Sequence, residues 1–168
     1  ELFYQPILEL NTARFCGVEA LVRWRHPELG YVFPEQFIEV AEATGLIIPM
    51  TLHIFEAACS KLTEWNSGAF AINPLFVTIN LSGKHFAHAD IVEHVAIMLA
   101  KTGVDPSRVK LEITETAIMD QAERAITVLK QIKDLGVQLC IDDFGTGYSS
   151  LSYLQRFPID TLKIDRSF

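Results

Sequence analysis

The stretch Ile141-Asp142-Asp143-Phe144-Gly145-Thr146-Gly147-Tyr148 decides how the rest of this 168-residue chain is read. Just before it, Val137, Leu139 and Ile141 alternate with Gln138, Cys140 and Asp142 at the period of two that marks a β-strand. Two adjacent carboxylates then fall where that strand is expected to end, and a glycine-rich turn follows at once. A carboxylate pair at the mouth of an apolar strand repels itself unless a proton, a cationic side chain or a metal ion intervenes. Taken alone, the same residues are equally a solvated strand end with an Asp-Asp-x-Gly turn. The other strands of the chain shift the balance, because they end the same way.

Working outward, residues 109–116 read as a strand carrying Glu112 and Glu115, and residues 76–82 as one with Asn80 near its end. Residues 161–164 form a strand with Lys163, followed by Asp165. In residues 15–24, Val18, Ala20 and Val22 share one face while Glu19, Leu21 and Arg23 share the other. A glutamate and an arginine on one strand face are either a solvated cross-strand ion pair or the lining of a cavity. Residues 2–8 form a first strand, and the short polar stretch 9–14 makes the two an antiparallel hairpin. Helices are expected from Pro34 to about Thr44-Gly45, over 50–65, 90–101 and 120–135, and briefly over 149–156. Strands that alternate with helices imply a mostly parallel sheet built with right-handed crossovers. In such an α/β fold, functional residues gather at the C-terminal ends of the strands.

Composition narrows the chemistry. The chain is 49% hydrophobic and 21% charged, which suits one globular domain with a real core. It has no run of about 18 apolar residues to span a membrane, and its N-terminal residues do not read as a signal peptide. Cys16, Cys59 and Cys140 lie in apolar contexts without CxxC spacing. They are expected to be buried free thiols, which points to a reducing, cytoplasmic setting, including the cytoplasmic part of a membrane-anchored protein. A net charge of −7 with no basic run argues against binding DNA or RNA polymers. An anionic ligand therefore needs cations to mediate its binding.

Glu19, Asn80, Glu112, Asp142 and Asp143 together offer carboxylates and one amide oxygen. These are hard donors that suit Mg²⁺ or Mn²⁺ rather than zinc or copper. The adjacent aspartates are able to bridge and flank two ions on the order of 4 Å apart, an arrangement that activates water for in-line attack on a phosphodiester. Lys163 is suited to stabilise developing charge or orient the attacking water. The histidines at 26, 53, 85, 88 and 94 contain no i,i+4 ligand pair, and neither a Ser-His-Asp set nor a P-loop is legible.

At these residues the chain resembles the EAL domain family of bacterial cyclic di-GMP phosphodiesterases. The name is legible as Glu19-Ala20-Leu21, but that tripeptide alone carries nothing. The resemblance rests on further blocks in family order: Tyr4-Gln5-Pro6-Ile7, Thr78-Ile79-Asn80-Leu81-Ser82, Glu112-Ile113-Thr114-Glu115-Thr116, the 142–151 block and Leu162-Lys163-Ile164-Asp165. It implies a (β/α)8 TIM-like barrel whose first strand is antiparallel to its neighbours. Carried over, Glu19, Asn80, Glu112 and Asp142 are ligands of one Mg²⁺ or Mn²⁺, with Asp142 bridging to a second ion that Asp143 also contacts. Glu19, Asp142 and Lys163 are then the catalytic set. Gln5, Leu21, Arg23 and Asp165 are expected to hold the substrate. Glu115 and the loop 144–151, with Phe144 and Gly145, match the segment that couples the metal site to a homodimer interface.

The resemblance also sets an expectation of size. Residues 1–168 supply about six strands of the domain, whereas a closed barrel of this kind needs 200 or more residues. The family's general-base glutamate, carried on the next strand, has no counterpart here. The expected activity is metal-dependent opening of cyclic di-GMP to linear pGpG, with sensory or GGDEF domains attached in a longer protein. The alternatives are a module that binds cyclic di-GMP without cleaving it, and a dimerisation module with no ligand chemistry.

Overall fold

The computed structural model describes residues 1–87, 90–120, 122–146 and 154–167. Six strands form one sheet in the order β1-β2-β5-β6-β7-β8. They span Leu2–Glu9 (β1), Arg14–Val22 (β2), Phe76–Asn80 (β5), Val109–Thr114 (β6), Gln138–Phe144 (β7) and Thr161–Ile164 (β8). The β1–β2 pair is antiparallel, and every later pair in this sheet is parallel, as the hairpin and the strand–helix alternation predict. Trp24–His26 (β3) and Gly30–Val32 (β4) add a small antiparallel ribbon that the sequence reading did not anticipate, so β2 stops at Val22.

Helices α1 (Pro34–Thr44), α2 (Ile47–Ser67), α3 (Ile91–Thr102) and α5 (Ala122–Asp134) accompany the sheet. Val77, Ile79, Leu111 and Leu139 on one sheet face share a core with Phe55, Leu62, Val95 and Leu129 from the helices. The opposite face has the parity of Glu19, Asn80, Glu112, Asp142 and Lys163. This second face is concave. Lys163 on β8 reaches within 3.4 Å of Glu19 on β2, although four strand spacings in a flat sheet amount to about 19 Å. Only a strongly curled sheet closes that gap. Gly17 permits part of the packing inside the curl, because a Cβ there would stand 2.6 Å from the Phe76 ring.

Several boundaries differ from expectation. Helix α2 starts at Ile47 rather than Met50, since Pro49 lies in a first turn where its missing N–H is not needed. The 109–116 strand ends at Thr114, whose hydroxyl accepts from the Ala117 N–H and caps a short helix, α4 (Glu115–Met119). Glu115 therefore opens a helix and is not a strand residue. The single helix expected over 120–135 is replaced by α4 and α5, with Asp120 at the end of α4. The aspartate pair lies within β7, before its end, where pairing to β8 shifts register between Ile141 and Phe144 and Asp143 takes a φ of 53°. Most of the 149–156 helix and of the 144–151 loop lies outside the described residues.

Cys59 and Cys140 are buried and Cys16 is half-buried, all as free thiols. Burial pushes the Cys59 thiol up to about 12 and Cys140 to about 11, so neither is a reactive thiolate at neutral pH. No helix among the described residues is long and apolar enough to cross a membrane.

Candidate metal and substrate site

Five of the six strands of the curled sheet, β2 and β5 to β8, each deliver one polar group to the same place. Parallel register sets Asn80 beside Glu112 and Thr114 beside Asp142. The side chains of Glu19, Glu112 and Asp142 then converge on the Lys163 ammonium, at 3.4, 2.9 and 3.0 Å. Asn80 Nδ2 donates to Glu19 Oε1 at 3.3 Å and closes the group. Of the two sequence readings of the Glu19 face, the inward-facing one is what the structure displays. Glu19 meets Lys163 and Asn80, while Arg23 donates to its neighbour's carbonyl on Val22 and lies 5.8 Å from the Phe33 ring.

The electrostatics follow from three acids around one base. Glu112 is 2% exposed. Burial raises its pKa, with Glu19 and Asp142 adding to the rise and Lys163 opposing it. Burial alone would weaken the Lys163 ammonium, but its bonds to Glu112 and Asp142 and the field of Glu19 hold it firmly protonated. Asp143 faces out of the cluster. Desolvation and then the charges of Asp142 and Asp165 raise its pKa.

Among the described residues, no group of three or more His, Cys, Asp or Glu side chains closes to metal-binding spacing. The three carboxylates are instead drawn onto Lys163, so the site already accepts a point cation at its centre. The chemistry fits a hard divalent ion, because every available ligand is a carboxylate or an amide. Beneath the cluster, Thr78 stands in register with Glu19 and keeps a buried hydroxyl with no hydrogen-bond partner. That too marks a polar interior rather than an apolar core.

The other expected residues surround this centre. A cavity of about 630 Å³ opens beside it, and Leu21, Asn80 and Glu112 help line it. Gln5 stands in register with Glu19 on the exposed side of β1. Asp165 accepts the Ser167 N–H at 2.8 Å, and the Ser167 side chain followed by that N–H holds its carboxyl below the usual carboxylate range. Gln5, Arg23 and Asp165 make no recorded bond to the Lys163 cluster. Glu115 is buried and accepts the Gly145 N–H at 2.7 Å, which ties the start of α4 to the turn after the aspartate pair. A larger, mostly apolar cleft of about 910 Å³, between β1 and α1–α2, contains none of the clustered carboxylates and is not the chemical centre.

Two residues of this region, Glu42 and Phe33, escaped the sequence reading, and Ser82 was read only as a strand end within a family block. Glu42 on α1 accepts a 2.5 Å hydrogen bond from Ser82, just after β5, and both line the 630 Å³ cavity. Phe33, 55% exposed, presents its ring toward Arg23. A glutamate on a helix carries no signal in one sequence, and the serine's place in the block does not show its partner. An aromatic before Pro34 is the only hint of Phe33.

Comparison with known proteins agrees with this geometry. The EAL domain family model matches residues 1–168. The bifunctional diguanylate cyclase/cyclic di-GMP phosphodiesterase MucR of Pseudomonas aeruginosa is 42% identical over 167 residues, covering 99% of this chain and 24% of that protein. The cyclic di-GMP phosphodiesterase NbdA of the same organism is 42% identical over 168 residues, covering 100% of this chain and 21% of its own length. This chain thus spans between a fifth and a quarter of those relatives. The solved PaMucR phosphodiesterase in complex with c-di-GMP superposes with a TM-score of 0.94 at 42% identity, over 99% of this chain and 67% of that one.

Proposed function

This chain belongs to the EAL domain family, and from that premise we propose that it forms part of a metal-dependent phosphodiesterase domain that opens cyclic di-GMP to linear pGpG. The observation that carries the reading is the convergence of Glu19, Glu112 and Asp142, with Asn80, around one cationic nitrogen on the concave face of the sheet. In the proposed site these four residues hold a Mg²⁺ or Mn²⁺ ion, and Asp143, next to Asp142, serves a second ion. When bound, the metal supplies water activation and charge neutralisation at the phosphodiester.

The chain's own residues do the rest. With an ion held by those carboxylates, Lys163, which contacts Glu19, Glu112 and Asp142 here, would orient water and offset negative charge on the phosphate. Gln5, Leu21, Arg23 and Asp165 are proposed to hold the guanine and phosphate portions of the substrate; of these, Leu21 lines the 630 Å³ cavity and Arg23 lines the neighbouring 910 Å³ cleft. Glu115, through Gly145, holds the turn that follows the two aspartates. It is proposed to transmit contacts of a homodimer to them. The domain over residues 1–168 is proposed to work within a longer cytoplasmic polypeptide that carries sensory or GGDEF domains.

The test is chromatographic detection of pGpG after the full-length polypeptide is incubated with cyclic di-GMP and Mg²⁺ or Mn²⁺. Product is expected, and it should vanish with chelator and in Glu19→Ala. A Glu19→Ala protein that remains active at saturating metal would falsify the ligand assignment. Tight binding of cyclic di-GMP without product would favour the receptor reading instead.

A further inference from the structure

We propose that Glu42 is a positioning residue for this site, acting through Ser82 to fix the strand end that carries Asn80. The inference rests on the phosphodiesterase reading above and adds a residue outside its ligand set. Asn80 is exposed, and its recorded side-chain bond is the 3.3 Å contact to Glu19. The direction of its amide therefore depends on the backbone of residues 80–82. That backbone is held at two points. The Leu81 N–H donates to the Glu112 carbonyl at 2.7 Å, and the Ser82 hydroxyl donates to Glu42 Oε1 at 2.5 Å.

The second point is the stronger one chemically. A hydroxyl bound to a carboxylate at this distance is a charge-assisted hydrogen bond. The same Ser82 oxygen accepts the Lys84 N–H at 3.2 Å, and the Ser82 carbonyl accepts the His85 N–H at 3.0 Å. Ser82 is thus the hub of the loop that leaves β5. On the far side, the loop lies flat on α4, because a Cβ on Gly83 would stand 2.9 Å from Ala117 Cβ. The loop is pressed between α4 and the carboxylate of α1.

Helix α1 gains from the same bond. Ala41 is the buried residue of α1, and Val40 is 60% exposed, so apolar packing holds this helix lightly. Among the described residues, the Ser82–Glu42 bond is the side-chain hydrogen bond that ties α1 to the C-terminal lip of the sheet. Pro34, Ile38 and Glu42 of α1 line the 630 Å³ cavity together with Asn80, Ser82 and Glu112, and the Ser82–Glu42 bond joins the two groups. One bond therefore sets both the cavity wall and the orientation of a proposed metal ligand.

The test uses the full-length polypeptide and the variants Glu42→Ala, Ser82→Ala, their double mutant and Glu42→Gln. Mn²⁺ binding is measured by calorimetry without nucleotide, kcat and KM for cyclic di-GMP are measured separately, and thermal melting monitors folding. Glu42→Ala and Ser82→Ala are each expected to weaken Mn²⁺ binding about tenfold, the range seen when support of a metal ligand is removed. The double mutant should be no worse than either single mutant. Glu42→Gln keeps an oxygen acceptor and should restore binding to near wild type. Additive losses, or a lowered melting temperature with unchanged Mn²⁺ affinity, overturn the proposal. Wild-type protein that binds Mn²⁺ but gives no turnover defeats the phosphodiesterase reading and leaves the Mn²⁺ comparison to judge the clasp. Wild-type protein that binds no Mn²⁺ overturns both.

Discussion

Glu112, Glu19 and Asp142 place three carboxylates within reach of one lysine, so Lys163 carries the electrostatic balance of the centre. Its replacement by methionine keeps the stem and deletes the charge. In metal-free buffer Lys163→Met is expected to lower the unfolding free energy by about 1–3 kcal/mol, measured by urea denaturation. That lies below the cost of breaking a fully buried pair, because the Lys163 side chain is 35% exposed and its charge partly screened. An unchanged midpoint would show that the acids do not depend on the lysine. These residues were legible in the sequence because each is polar at the end of an apolar strand, where burial has to be justified. Their grouping around a lysine rather than around each other was not, since neither distance nor side-chain direction is written in strand spacing. The Glu42–Ser82 bond was invisible for the opposite reason: a helix surface and a strand end are where polar residues belong.

Among the described residues, the six sheet strands and helices α1, α2, α3 and α5 came through the sequence with the right types and with shifted ends, while the β3–β4 ribbon and α4 did not. The β7–β8 junction illustrates what sets such an end. Asp160, just before β8, accepts two bonds from Lys133 of α5 at 2.8 Å and one from the Leu139 N–H at 2.8 Å. Partial burial opposes ionisation of Asp160, yet these donors outweigh it and hold its pKa below the usual value. A carboxylate with a depressed folded pKa contributes stability that is present above its unfolded pKa, near 3.9, and lost as pH falls through the folded value. Asp160→Ala is expected to cost about 1–3 kcal/mol at pH 7, with the gap to wild type closing below about pH 4. Denaturation curves at pH 7, 5 and 3 measure this, and a gap independent of pH would mean that the ionised carboxylate is not what counts. The sequence missed the start of α4 for a related reason. The capping bond that the Thr114 hydroxyl accepts from the Ala117 N–H competes with one more strand residue, and a periodicity reading does not weigh that choice.

For the whole molecule, the curl of the sheet makes five strands into one site, and a bound ion should report on that shape. Mg²⁺ that binds only the folded state stabilises it by RT ln(1 + [Mg²⁺]/Kd), about 2.7 kcal/mol at a hundredfold excess over Kd. The full-length polypeptide is expected to melt several degrees higher in saturating Mg²⁺, and Glu19→Ala should lose most of that shift. An equal shift in both proteins would move the ion elsewhere. The sequence by itself determined the mostly parallel α/β order, the antiparallel first strand, the family and the identity of the strand-end residues, because these follow from local periodicity and from residue types at fixed positions. The tertiary structure alone decided that Lys163 meets Glu19 across four strand spacings, that Glu115 belongs to a helix and answers to Gly145, and that Glu42 holds the loop after Asn80. Those contacts join residues from 30 to 144 positions apart. They depend on how far the sheet curls and how the helices close on it, a cooperative outcome of packing that no local stretch encodes.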